Sequence, residues 1–217
     1  MRLQFKSDIY LERRSLPPKV KKNSRYIAAL GDIGNPWDPK YYEFLKDLSL
    51  RWERVFLLAG NHEYYFGKNI PKTELYIREM CETFKNVSFM QRTIFDLGDY
   101  SILGLTMTPP YKCNVPIHRE LGKEFTYDEK WLEDALGGSR KKIVLSHYLP
   151  SKQLIIEPYK SKYSLEDQER WALSKEHHFG KNIKYWLCGH SHCKTRKIIN
   201  GVECRINASS DDEYVDL

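Results

Sequence analysis

A series of short apolar runs, each stopping at a residue able to bind a metal ion, constrains this chain more than any other feature. Leu3–Ser7 ends at Asp8, Tyr26–Leu30 at Asp32, Val55–Leu58 at Asn61, Ile143–Ser146 at His147, and Tyr185–Cys188 at the pair His190 and His192. Runs this short, rich in β-branched and aromatic residues, read as buried strands, and amphipathic stretches of helical period lie between several of them. Strands that alternate with helices form a largely parallel sheet, and such sheets bind ligands beyond the carboxyl ends of their strands. The ends of the runs are therefore expected to converge. His190 and His192 would face one point if the backbone there is extended, since residues two apart share a side of a strand.

Two carboxylates, one amide oxygen and three imidazoles make a mixed oxygen and nitrogen set, suited to manganese, iron or zinc rather than to calcium. Singly, each has a plainer reading: Asp32 could cap a turn, Asn61 could be a turn residue beside Gly60, and His147 could be a satisfied core histidine. Jointly those readings require a run of coincidences. Cys188 and Cys193 flank the histidine pair, but so crowded a run cannot readily wrap one tetrahedral ion. The 5 cysteines contain no C-x-x-C pair and read as reduced thiols.

With 217 residues, 41% of them hydrophobic, a single domain over residues 1–217 is expected. No apolar run is long enough to cross a membrane, and MRLQFKSDIY lacks the order of a signal peptide. A soluble, cytoplasmic chain with no membrane partner is the expectation. The net charge of +6 is uneven: Arg13, Arg14, Lys19, Lys21, Lys22 and Arg25 fall in an acid-free segment, while Asp211, Asp212, Glu213 and Asp216 fall near the C-terminus. A basic loop could steer a phosphate-bearing ligand, though a solvated loop and tail is the plainer reading.

Asp38-Pro39 predicts a helix start, and Pro71–Phe84 a second amphipathic helix. Val87–Met90, Thr93–Asp96 and Tyr100–Leu105 read as β-pieces, with a turn at Gly98-Asp99. Residues 106–125 read as a long loop in which His118 and Arg119 are candidate phosphate contacts. Thr126–Glu129 reads as a capping box that opens a helix running to Leu136. Ser164–Asp167 resembles a helix start, with Trp171, Leu173 and Phe179 packing inward. His177 and His178 read as surface residues, and Tyr64, Tyr65 and Phe66 as wall and core. Thr195–Ile199 and Glu203–Ile206 predict a hairpin across Asn200-Gly201.

In order, SDIY, GDIG, GNHE, SH and GHSH resemble the calcineurin-like metallophosphoesterase superfamily, in particular its small, cap-less members, from Ser7 to about Asn207. The resemblance implies an α/β fold, a four-layer α-β-β-α sandwich of two mixed β-sheets flanked by helices. It implies two divalent metal ions, manganese foremost with iron or zinc as alternatives. Asp8 and His192 would bind the first ion, Asn61, His147 and His190 the second, and Asp32 would bridge them. His62 would be the acid or electrophile beside the leaving group. The implied reaction is hydrolysis of a small phosphodiester or phosphomonoester by in-line attack of a metal-held hydroxide.

One position departs from the pattern. The superfamily has Asp-x-His after its first strand, and here Asp8-Ile9-Tyr10 puts a phenol in place of the histidine. A neutral phenol is a poor ligand for a divalent ion. Three readings are open: a weak first ion site, Tyr10 as a phenolate ligand of a ferric ion, or a degenerate relative; by default Tyr10 reads as a spacer packed against the site wall. Two rival functions accompany this departure: a catalytically weakened scaffold that binds a protein partner, and a nuclease that uses the basic 13–25 loop on nucleic acid.

Overall fold

A computed structural model describes residues 1–67, 69–110, 116–157, 159–208 and 213–217. The chain opens with β1 (Arg2–Lys6), a single 3-10 turn at Leu11–Arg13, and β2 (Tyr26–Leu30). α1 (Pro39–Arg51) begins where the Asp38 carboxylate accepts from the Lys40 amide and Pro39 sets the first helical position. β3 (Arg54–Leu58), α2 (Asn61–Tyr65), α3 (Ile70–Glu82), β4 (Val87–Phe89), β5 (Thr93–Leu97) and β6 (Tyr100–Leu105) follow. The second half runs through α4 (Pro116–Ala135), β7 (Lys141–Ser146), the short helices α5 (Tyr159–Lys162) and α6 (Leu165–Gln168), and β8 (Ile183–Cys188). It closes with β9 (Lys194–Ile199), β10 (Val202–Asn207) and β11 (Glu213–Asp216).

These strands form two mixed sheets, one ordered β11-β1-β2-β3-β4 and the other β5-β6-β7-β8-β10-β9. β1 to β4 are parallel and β11 runs against β1. In the other sheet β6, β7, β8 and β10 are parallel, with β5 and β9 antiparallel at its edges. The two-residue alternation of a strand explains the layering. In β2, Ala28 and Leu30 join Phe5, Phe56, Ile143 and Leu187 in the apolar layer between the sheets. Ile27 and Ala29, on the other face, lie under Phe44, Leu45 and Leu48 of α1 and Ile77 of α3. Val144 and Trp186 of the second sheet pack with Leu132 of α4. The result is the expected α-β-β-α stack. No helix among the described residues is long and apolar enough to cross a membrane.

The reading of residues 106–125 as a loop is corrected by α4, which starts at Pro116 and leaves Thr126 inside the helix rather than at its cap. Three prolines and the lack of a clear period make the stretch read as loop. Asp128, within the helix as expected, sits on the buried stripe that Leu121 and Leu132 continue. Its carboxylate accepts from the Arg92 guanidinium at 2.8 Å and from the Met107 amide at 2.9 Å, which satisfies the charge inside. His118 and Arg119 therefore ride on a helix, and His118 Nε2 meets the Tyr65 hydroxyl at 2.8 Å. Residues 111–115 lie outside the described residues.

The acidic tail is not wholly solvated either. Glu213–Asp216 forms β11, Glu213 pairs with Lys194, and Asp211 and Asp212 lie outside the described residues. His178, read as a surface residue, is buried with Nε2 3.3 Å from Glu129. The Asn200-Gly201 hairpin has φ of 46° and 81° at its two turn residues, the primed geometry that matches strand twist.

Candidate active site

Asp8, Asp32, Asn61, His147, His190 and His192 all lie just beyond the carboxyl ends of β1, β2, β3, β7 and β8. The first three strands belong to one sheet and the last two to the other, so the site forms where the ends of the facing sheets meet. Asp8, Tyr10, Asp32, His190 and His192 have φ of 57°, 53°, 53°, 64° and 53°. Non-glycine residues in this left-handed region cost about 1 kcal/mol or more each, and such strain collects at functional sites. The extended-backbone reading of His190 and His192 is thereby corrected. A tight turn, with the Ser191 amide donating to the Gly189 carbonyl at 2.8 Å, sends the two imidazoles to different partners.

His190 joins one group. Asp32, His147 and His190 bring one ligand atom each within 4.8 Å of one another, and Asn61 Oδ1 lies 3.1 Å from His147 Nε2. His147 Nδ1 donates to the Leu30 carbonyl at 2.8 Å, which turns Nε2 toward the group. His192 joins the other, with Nε2 3.6 Å from Asp8 Oδ1. Asp32 serves both: Oδ1 is 3.4 Å from His147 Nε2, while Oδ2 accepts from the Tyr10 hydroxyl at 3.1 Å. That hydroxyl also lies 3.0 Å from Asp8 Oδ1 and 2.5 Å from His192 Nε2. Tyr10, expected as a spacer against the site wall, instead turns its polar end into the ligand set.

Electrostatics follow from burial and proximity. Burial opposes charge on His147, but the carboxylates of Asp32 and Asp8 outweigh it and push the imidazole up to about 9. Burial and the His147 charge push His190 well below its ordinary range. Burial would raise Asp32, but His147 holds it low, whereas burial raises Asp8. Burial, then Asp8 and Asp32, push the Tyr10 phenol above its ordinary range. In the metal-free chain a proton on His147 thus offsets the carboxylates at the centre of the Asp32, His147 and His190 group, where a cation would sit. A cation must displace it. Ion binding at pH 7 is expected to release about one proton and to tighten about tenfold per pH unit until about pH 9. Calorimetry in buffers of different ionisation enthalpy measures this, and heats that do not vary with buffer would contradict it.

Two glutamates that the sequence reading did not single out hold the site together. Glu63 is fully buried; Oε2 accepts from the amides of Gly60 at 2.7 Å and Asp32 at 3.0 Å, and Oε1 from Ile33 at 2.7 Å. One carboxylate thereby ties the GDIG loop to the GNHE loop. Burial and the Asp32 charge push it up to about 7 against the pull of those amides. Glu12 Oε1 lies 2.9 Å from His62 Nδ1, a carboxylate that orients the imidazole and leaves Nε2 for other work. Glu63 was visible as the last letter of GNHE; Glu12 had no signal, because only the fold brings it to His62.

The site opens into a cleft of about 480 Å³. Tyr10, Asp32, Asn61, His62, His190 and His192 line it, together with Tyr159, Lys162, Tyr163 and Trp171. Trp171 packs against the core as expected, half-buried, and also meets Tyr163 edge to face at 4.5 Å. Leu173 and Phe179 are in the core as expected.

The chain is 26% identical to an uncharacterized protein of Acanthamoeba polyphaga mimivirus, over 82% of this chain and 75% of that one. Its fold is similar to the crystal structure of phosphopantetheinyl hydrolase from Mycobacterium tuberculosis, with a TM-score of 0.69 and 15% identity over 94% of this chain and 87% of that one. A dimetal phosphatase from Danio rerio is similar at a TM-score of 0.59 and 12% identity, over 94% and 86% of the two chains. The family model for calcineurin-like phosphoesterase matches residues 11–194, which span the motifs from GDIG to GHSH, and on this match the chain belongs to the calcineurin-like phosphoesterase family.

Proposed function

We propose that this chain is a metal-dependent hydrolase of a small phosphodiester or phosphomonoester, acting as one domain over residues 1–217. The observation that carries the reading is the Asp32, His147 and His190 group, with Asn61 beside it, of which Asp32, Asn61 and His190 line a cleft that also holds His62. The family implies divalent metal ions, and this donor set suits manganese, with iron or zinc as alternatives. A divalent ion there supplies Lewis-acid charge for the phosphoryl oxygens and lowers the pKa of a water toward neutrality.

The chain's own residues supply the remainder. Asp32 accepts the His62 amide at 2.8 Å, which fixes where that imidazole enters the cleft. Glu12 holds Nδ1, so Nε2 is the atom placed to hand a proton to the leaving oxygen. Tyr159, Tyr163 and Trp171 offer an apolar wall to the remainder of the substrate, and Lys162 beside them offers a positive charge. The nuclease reading has less behind it, because Arg25 of the basic segment is paired with Glu53 and Arg14 with the Ile9 carbonyl.

The test is turnover of nitrophenyl and alkyl phosphoesters by protein reloaded with Mn²⁺. His62→Ala is expected to keep its metal and lose about 10²–10⁴-fold on alkyl esters, which need the proton, but far less on nitrophenyl esters. Equal losses on both would remove the acid role. Metal-loaded wild type that hydrolyses none of them would favour the scaffold reading.

A further inference from the structure

Resting on the metal-dependent reading above, we propose that the Tyr10 hydroxyl stands in for the first ion, so that the chain holds a single divalent ion at Asp32, Asn61, His147 and His190. The oxygen lies 3.0 Å from Asp8 Oδ1, 3.1 Å from Asp32 Oδ2 and 2.5 Å from His192 Nε2. These are the atoms that the resemblance assigns to the first ion. A divalent metal needs such donors at about 2.0–2.2 Å, so it would occupy the same space as the phenol oxygen. The residues present therefore do not fit an ion at this position.

The hydroxyl does part of the ion's structural work. It has one hydrogen to donate to the two carboxylates and lone pairs to accept from His192. Asp8, Asp32 and His192 are thereby held together by hydrogen bonds around a neutral atom. The other oxygen of Asp32 stays directed at His147, so the second group keeps its carboxylate.

The side chain is fixed in this position. The amides of Asp8, Ile9, Tyr10 and Leu11 donate to the carbonyls of Gly31, Asp32 and Ile33 at 2.8–3.1 Å, which laces the Tyr10 backbone to the GDIG loop. The Tyr10 ring meets His62 edge to face at 4.6 Å and His192 at 5.5 Å, and the Arg13 guanidinium lies 4.4 Å over it. Withdrawing the ring to admit an ion would break these contacts together.

The experiment counts ions. Stripped full-length protein is dialysed against Mn²⁺ or Zn²⁺, its metal content per chain is measured, and its near-ultraviolet spectrum is scanned for metal-bound phenolate. One ion per wild-type chain without a phenolate band is expected, against two in Tyr10→Ala and Tyr10→His. His192→Ala is expected to keep the single ion with affinity within about twofold, whereas His190→Ala loses it. Two ions in the wild type overturn the proposal, with Tyr10 a ligand if the band is present and a movable side chain if it is absent. A single ion in the folded Tyr10 variants, or loss of the ion in His192→Ala, also overturns it. If a Tyr10 variant does not fold, the wild-type count and the His192 and His190 variants decide. No ion in the wild type would bring down the metal-dependent reading as well, whereas a second ion would leave that reading standing.

Discussion

Gly60→Ala is expected to lower kcat/KM by about 10²-fold or more and to cost the protein its metal, because placement errors near 1 Å already carry penalties of that size. A Cβ at Gly60 would overlap the Asp32 carboxylate and lie 2.7 Å from Cε1 of His147, two members of one ligand group. Neither neighbour is the free end of a flexible chain. His147 is fixed by its bond to the Leu30 carbonyl, and Asp32 by the His62 amide. Gly180→Ala is the control. Gly180 has φ of 89° but open space around its Cβ position, so the cost there is backbone strain of about 1 kcal/mol with no loss of metal. Equal metal content in Gly60→Ala and wild type would show that the two loops can part without harm.

Glu63→Ala has the largest expected effect on stability. It leaves the amides of Gly60, Asp32 and Ile33 without their buried acceptor, and each such loss costs about 1–3 kcal/mol. Burying the ionised carboxylate has its own cost, which the variant recovers, so a net loss of about 3 kcal/mol is expected, or about 6–12 °C in Tm. The pH dependence has a definite sign. A carboxyl raised from 4.5 to about 7 in the folded chain contributes stability below pH 4.5 that is lost as pH rises through about 7. The gap between wild type and variant should therefore narrow from pH 5 to pH 8. Urea unfolding at both pH values measures it, and a gap that widens would mean that the amides hold the carboxylate more tightly than burial opposes it.

The strands and the residues that gather at the candidate site were legible because an apolar run that stops at a polar turn is a local signal, and each of these residues follows one. Much of what escaped was decided by distant partners. The first turns of α4 escaped because residues 106–125 hold three prolines and no clear period, and the buried Asp128 further along is accounted for only when Arg92 and the Met107 amide are seen beside it. Glu213–Asp216 read as a charged tail because its pairing with β1 depends on residues far away in sequence. Glu12 is 50 positions from the histidine it holds. The backbone at His190 and His192 was misread for a different reason: left-handed φ at a histidine runs against local preference, and the surrounding turn imposes it.

The pairing of β11 with β1 also sets an order of assembly. β1, which delivers Asp8, takes its second neighbour from residues 213–216, and Asn207 closes over its far end, donating to the Phe5 carbonyl at 2.8 Å and accepting from the Ser7 amide at 3.1 Å. Contacts of such sequence separation are slow to form, because a very long loop must close before they bring any gain. On a ribosome, β1 gains this neighbour only after residues 213–216 have been made. Asp32, Asn61, His147 and His190 can gather as soon as β8 and the turn after it have emerged, whereas β1, already paired with β2, gains its second neighbour only with β11. The candidate site is thus completed in two stages, and the part around Asp8 gains its last support in the later one.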